Sequence, residues 1–209
     1  MTGLVAAVDH FHAAKSLVTD AHVLHTHALF TLLRAALENA ATAAFVLAPP
    51  SRNTRILRSL RVTWADLVER DKLMGLLDTK PAVTTGRRKT QLQDIARARG
   101  LSVDEVAQVA ARSISYSTIV RAAGDEALRG AGEEMLAIWM LNSGSAHGKK
   151  WASMMMLDRS RIIPSEVPGV RQGLVTAPEG QVSFSVLAAR RMIERAWHLH
   201  DLRSLGSGS

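Results

Sequence analysis

Apolar positions recur at helical spacing through most of the chain. Over residues 3–19, Leu4, Val8, Phe11 and Ala14 or Lys15 share a face, followed by Leu17 and Val18, which predicts a first helix. Asp20 is placed to cap a second, long helix through about Leu47, which Pro49 and Pro50 end. Its inner face reads Leu24, Ala28, Thr31 or Leu32, Ala35, Thr42 and Phe45 or Val46. Thr42 is the weak member, and its hydroxyl is expected to bond back to a carbonyl one turn earlier. Ser51 caps a third helix over about 52–77, with Leu57, Leu60, Trp64, Leu67 and Val68 inside.

Residues 80–86 form the clearest loop. Two shorter helices over 87–99 and 103–113 flank Arg99-Gly100-Leu101-Ser102. Gly100 closes the first, and Ser102 with Glu105 makes a capping box for the second. Ser113–Val120 is a polar turn into a short helical segment, with hydroxyls suited to capping. The run from Glu134 to Leu141 is strongly apolar and helical. It gives way to Asn142-Ser143-Gly144-Ser145-Ala146-His147-Gly148-Lys149-Lys150-Trp151, where small residues surround one histidine and leave room for a close approach by a helix, a second subunit or a ligand. Met154–Met156 read as core filler.

Residues 161–183 break the helical pattern with Pro164, Pro168, Gly169, Gly173, Pro178 and Gly180. Gly173–Thr176 and Gln181–Phe184 read as short β runs, predicting a small hairpin or ordered loop. A last helix covers about 184–204, with Val186 or Leu187, Met192 or Ile193, and Trp197 inside. The prediction is an all-α, up-and-down helical bundle over 1–205, one domain with a small irregular or β-hairpin insertion. The Gly-Ser tail, 206–209, reads as a linker.

Composition narrows the chemistry. The 209 residues suit one domain with a real core. Without cysteine there are no disulfides or thiolate metal sites, and a reducing, cytoplasmic setting is expected. No apolar run approaches the ~20 residues needed to cross a bilayer, and the N-terminus lacks a basic leader segment, so no membrane partner is expected. The net charge of +7 comes largely from arginine and is spread along the chain, which favours phosphate-rich partners only modestly.

Several features carry candidate chemistry. Arg34 and Glu38 lie four apart on one helical face, either as a surface ion pair or as a partly buried pair aimed into the bundle. Arg52, Arg55, Arg58 and Arg61 step along the third helix as a basic stripe. It is a solvated face, a phosphate-binding ridge, or a set of partners for Glu38 and other carboxylates. If the helix continues through His147, then Ser143 and Trp151 share its face, and Ser143 can orient the ring. If Gly148 ends the helix, then His147, Lys149 and Lys150 favour its negative end. Residues 95–106 superficially resemble a helix-turn-helix, but Asp104 and Glu105 would then face the nucleic acid. The early histidines, His10, His12, His22, His25 and His27, form no recognised metal motif, and no metal or other cofactor is expected. Nucleophile elbow, phosphate-binding and dinucleotide motifs are absent.

The segments Arg34–Ala41 and Ser143–Gly148, with the paired Arg34 and Glu38 and the late polar histidine, resemble the HEPN superfamily of prokaryotic helical proteins, and within it actinobacterial all-helical members. The resemblance covers roughly residues 20–160 through short motifs. It implies a helical, homodimeric protein associated with RNA or nucleotides, in a defence or toxin–antitoxin setting. HEPN ribonucleases place an arginine one to two turns before the histidine; the matching positions here are Met140, Leu141 and Asn142. The expected activity is therefore a degenerate, metal-independent endoribonuclease. Its catalytic candidates are His147, Asn142 and Ser143, and its substrate-binding candidates are Arg34, Glu38, Arg55, Arg58, Lys149 and Lys150. An arginine from elsewhere, such as Arg34, Arg55 or Arg58, would have to replace the missing one. Two other readings stand beside it: a non-enzymatic dimeric module that binds a protein partner, and a DNA-binding regulator acting through residues 90–113.

Overall fold

The computed structural model describes residues 2–79, 83–111 and 113–205. Helices dominate: α1 (Thr2–Thr19), α2 (Ala28–Leu47), α3 (Arg52–Leu76), α4 (Thr85–Ala98), α5 (Val103–Gln108), α6 (Tyr116–Ala127), α7 (Gly132–Ala146), α8 (Lys150–Met155) and α9 (Glu179–Leu205). A two-stranded antiparallel hairpin, β1 (Leu157–Pro164) and β2 (Arg171–Val175), precedes α9. The expected all-α bundle with a small hairpin insertion is the fold.

Helix α2 is the central element, packing most extensively on α9 and α1 and then on α6 and α7. Alanine explains how so many helices reach it. Ala36, Ala40, Ala41 and Ala44 of α2 are fully buried, as are Ala7 of α1 and Ala189 and Ala196 of α9. Small side chains at these positions allow close axis-to-axis packing. By length and hydropathy α2 alone qualifies as a membrane-crossing helix among the described residues, contrary to the sequence expectation that no such run exists. Leu29, Phe30, Leu33, Ala36, Leu37, Ala40, Ala41, Ala44 and Phe45 on one side of it are instead buried within the bundle. A smaller second core joins α3, α4 and α5 through Leu60, Leu92, Ala96, Leu101, Val106 and Val109.

Several caps follow the local signals of the chain. Ser51 and Ser115 accept from the backbone of Thr54 and Thr118, and Ser102 with Glu105 closes a capping box. Gly100 turns at φ +80° after α4. Thr42 donates to the Glu38 carbonyl at 2.8 Å. Other expectations are corrected. Asp20 does not start α2: residues 20–27 form a connection in which His22 sits at φ +53°, and Leu24 is exposed. Three histidines, Val23 and Thr26 are indifferent helix formers, so the chain leaves the helix there. The hairpin begins at Leu157, ahead of the expected insertion. Gln181–Phe184 belongs to α9, whose Val182 N–H bonds to the Pro178 carbonyl. Helix α5 stops at Gln108, well short of residue 113. The expected loop falls partly outside the described residues at 80–82, as does the tail at 206–209.

Candidate functional site

Three segments converge on one cluster: the second and third turns of α2, the middle of α7 and the turn that ends α7. Arg34 donates from Nε to Glu38 Oε1 at 2.8 Å, and its Nη2 lies 2.8 Å from the same oxygen. Trp139 Nε1 donates to that oxygen as well, at 2.7 Å. Arg34 also sits 5.8 Å from the centre of the Trp139 ring. The pair is largely withdrawn from water, with side-chain exposures of 22% for Arg34 and 13% for Glu38. It is therefore the partly buried pair aimed into the bundle, not a surface bridge.

The remaining arm of Arg34 reaches His147: Nη1 to Nε2 is 3.0 Å. A guanidinium only donates, so Nε2 is the acceptor in this contact. His147 itself is exposed.

How His147 comes to this place is a matter of helix termination. Helix α7 ends at Ala146, and Gly148 adopts φ +59°. Gly148 N–H bonds to the Ser145 carbonyl at 3.1 Å and Lys149 N–H to the Gly144 carbonyl at 2.9 Å, which is a Schellman closure. Termination at Gly148 is thus the arrangement found. Continuation of the helix through Trp151 is not. A second tie fixes the two ends together: His27 Nδ1 donates to the Ser145 carbonyl at 2.9 Å. His27 stands at the N-cap of α2, so this bond sets the start of α2 against the end of α7.

The expected site residues separate into groups. Arg34, Glu38 and His147 come together. Asn142 does not join them: it is fully buried, and its Oδ1 accepts from Ser185 of α9 at 2.7 Å, so it cannot touch a substrate. Ser143 makes no side-chain bond to the His147 ring among the described residues; its carbonyl accepts the His147 N–H at 3.0 Å. Lys149 and Lys150 are exposed beside His147 and form no ion pair among the described residues. The small-residue notch is occupied from within. A Cβ on Gly144 would lie 2.6 Å from Trp151 Cη2, so the Trp151 ring fills the space that suggested a ligand or a second subunit.

Arg55 and Arg58 serve another purpose. Pro49 and Pro50 lack the N–H groups that would have bonded the Phe45 and Val46 carbonyls at the end of α2. Arg58 donates to the Phe45 carbonyl at 2.8 Å, stacks 4.1 Å from the Phe45 ring and grips both oxygens of Glu126 at 2.7 Å. Arg55 donates to the Pro49 and Pro50 carbonyls at 2.8 and 2.7 Å. Burial, together with Arg203 and Arg52 nearby, lowers the Arg55 pKa from its ordinary value. Arg203 of α9 adds contacts at 3.4 Å to the Leu47 and Pro49 carbonyls. Arg52 reaches the Arg99 carbonyl beyond α4 at 3.4 Å. Arg52, Arg55 and Arg58 therefore close helix ends. Arg52 is exposed, and the carboxylate partner of the stripe is Glu126, held by Arg58, and not Glu38.

The sequence reading missed Trp139 and His27. The signal for Trp139 was present: Trp139, Ser143 and His147 are spaced four apart, and a half-buried indole N–H needs an acceptor. The supposed recognition helix, α5, has only 6 residues and spends Glu105 on its own cap. Among the described residues no three His, Asp or Glu side chains are arranged to hold a metal ion. Compared with known proteins, the chain matches no family model, no curated protein and no solved structure.

Proposed function

We propose that this protein binds RNA and cleaves it without a metal ion, with His147 and Arg34 as the reacting pair. The observation that carries the reading is the 3.0 Å contact between Arg34 Nη1 and His147 Nε2 at an exposed position. It supplies an arginine from α2 where the resemblance to HEPN ribonucleases finds none on the histidine's own helix. In the proposed reaction a substrate phosphate draws the Arg34 guanidinium from the ring. The freed Nε2 lone pair takes the proton of the attacking 2′-hydroxyl. That oxygen bonds to phosphorus as the bond to the 5′-oxygen breaks, and water protonates the leaving oxygen. Arg34 balances the charge that builds on the phosphoryl oxygens. Glu38 and Trp139 position the guanidinium and touch no substrate. Lys149 and Lys150 contribute positive charge beside the ring.

The test is a time course on single-stranded and structured RNA with wild type, His147→Ala and Arg34→Ala, in buffer with and without EDTA. The expected result is cleavage by wild type that EDTA leaves unchanged, and a loss of about a hundredfold or more in both variants. Equal rates in wild type and His147→Ala would overturn the assignment.

A second reading, a non-enzymatic dimeric interaction module, is favoured by a different observation. Met140, Trp151, Met154, Met155, Phe184 and Leu187 are all exposed on α7, α8 and α9. Absence of both RNA binding and cleavage in the same assay would leave that reading ahead.

A further inference from the structure

We propose that a hollow between α9 and the link from α6 to α7 binds a small organic acid, by its carboxylate and its hydrocarbon body. The proposal does not depend on the ribonuclease reading. The hollow has a volume of about 520 Å³, within the roughly 300–1,000 Å³ of small-ligand sites. Leu128, Ala131 and Met135 give it an apolar floor. Leu128 stands at the end of α6 and Ala131 at the start of α7. Between them Arg129 at φ +57° and Gly130 at φ +89° turn the chain, so that both helix ends border the one hollow.

Charge selects the ligand. Arg191, Arg195 and His198 follow at i, i+4 and i+7 on α9 and line the hollow. Arg195 is half-buried, and its Nε donates to the Ala127 carbonyl at 2.9 Å. That bond closes the end of α6 and anchors the guanidinium by one nitrogen. Arg58, which also closes a helix end, spends both terminal nitrogens on protein acceptors. Arg195 does not: among the described residues its terminal nitrogens meet no acceptor, and neither Arg191 nor Arg195 forms an ion pair. Glu194, the carboxylate at the rim, is held by Arg190 at 2.7 Å instead. A half-buried guanidinium without a counter-ion is costly. A carboxylate from outside meets such a fork with two parallel hydrogen bonds. Among the described residues the lining carries no hydroxyl or amide side chain, so it suits a hydrocarbon body and offers little to a sugar or a base. Glu194 opposes a second negative charge.

Isothermal titration calorimetry of the full chain with octanoate tests this, with octanol, octyl phosphate and adenosine monophosphate alongside. Octanoate is expected to bind saturably, with a dissociation constant of about 1 mM or below. Arg195→Lys keeps the charge and loses the fork, and Arg191→Ala removes the second cation. Each should weaken binding about tenfold. Glu194→Gln removes the opposing charge and should tighten it about threefold. Circular dichroism checks the fold of each variant, and if Arg195→Lys unfolds, Arg191→Ala and Glu194→Gln decide. No saturable binding of octanoate by wild type would overturn the proposal. So would octanol binding as tightly as octanoate, which would leave the cations no part. Tighter binding of octyl phosphate or of adenosine monophosphate would overturn it by assigning the hollow to phosphates. Octanoate affinity unchanged in both Arg191→Ala and Glu194→Gln would overturn it by placing the site elsewhere.

Discussion

Of the arginines that hold glutamates, Arg34 and Arg58 are the two whose side chains are largely buried, and they do so differently. Arg58 grips both oxygens of Glu126, takes the Phe45 carbonyl and lies flat on the Phe45 ring. Its two terminal nitrogens are engaged by a carboxylate and a backbone carbonyl. Arg34 directs two nitrogens at one oxygen of Glu38, shares that oxygen with Trp139 and gives its last arm to an exposed histidine. One arginine therefore completes a helix end, and the other is braced on one side and open on the other. The same residue type, at similar burial, becomes structure or chemistry according to what its outermost nitrogen meets.

The largest test of that difference is catalytic. His147→Ala and Arg34→Ala should each slow RNA cleavage by about 10²–10⁴-fold, the usual reach of positioned acid–base and electrostatic groups. Single-turnover rates, normalised to folded protein, measure this. Residual rates near wild type would reduce Arg34 to the same structural role as Arg58.

Stability should separate the two glutamates next. Glu38→Ala leaves Arg34 and the Trp139 N–H without their common acceptor, and should cost about 3 kcal/mol. Glu126→Ala leaves Arg58 its carbonyl and its ring, with Glu126 already 35% exposed, and should cost about 1 kcal/mol or less. Urea unfolding of the two variants side by side decides it, and equal losses would erase the distinction.

Gly148→Ala probes how His147 is delivered. At φ +59° an alanine costs about 1–2 kcal/mol and strains the closure that ends α7. Thermal unfolding should show that loss. If cleavage falls further than stability, the geometry of the turn sets the histidine.

The smallest effect lies in the α3–α5 layer. Hydrogen bonds from Thr85 and then Arg70 hold the Asp71 carboxyl below its ordinary pKa. Its contribution to stability is therefore present above the unfolded-state carboxylate range, near pH ~4, and is lost as pH falls through the depressed folded value. Asp71→Asn should flatten the stability profile below about pH 4 relative to wild type. An unchanged acid limb in denaturant titrations would show that the tie between α3 and α4 carries no net stabilisation.

Much of this was legible in the chain. Serine caps, the Gly100 and Gly148 turns and the Pro49-Pro50 stop are local, because each depends on a few neighbouring dihedrals and donors. The Arg34 and Glu38 pair was visible from its spacing. The start of α2 was not: residues 20–27 carry no proline or glycine, and their weak propensities were outvoted by the apolar pattern on either side. Gln181–Phe184 alternates like a strand, but Pro178 and Glu179 open a helix there, and Ser185, Ala188 and Ala189 bury it.

Sequence by itself determined that this chain is helical, where most helices stop, and which arginine and glutamate share a face, because those are matters of period, propensity and backbone donors within a turn or two. Only the tertiary structure decided what each arginine does. Arg34 meets His147 across 113 positions, and Arg58 meets Glu126 across 68. Which guanidinium is left beside an exposed imidazole and which is spent on a carbonyl depends on how α2, α3, α6 and α7 pack, and no local rule of spacing encodes that.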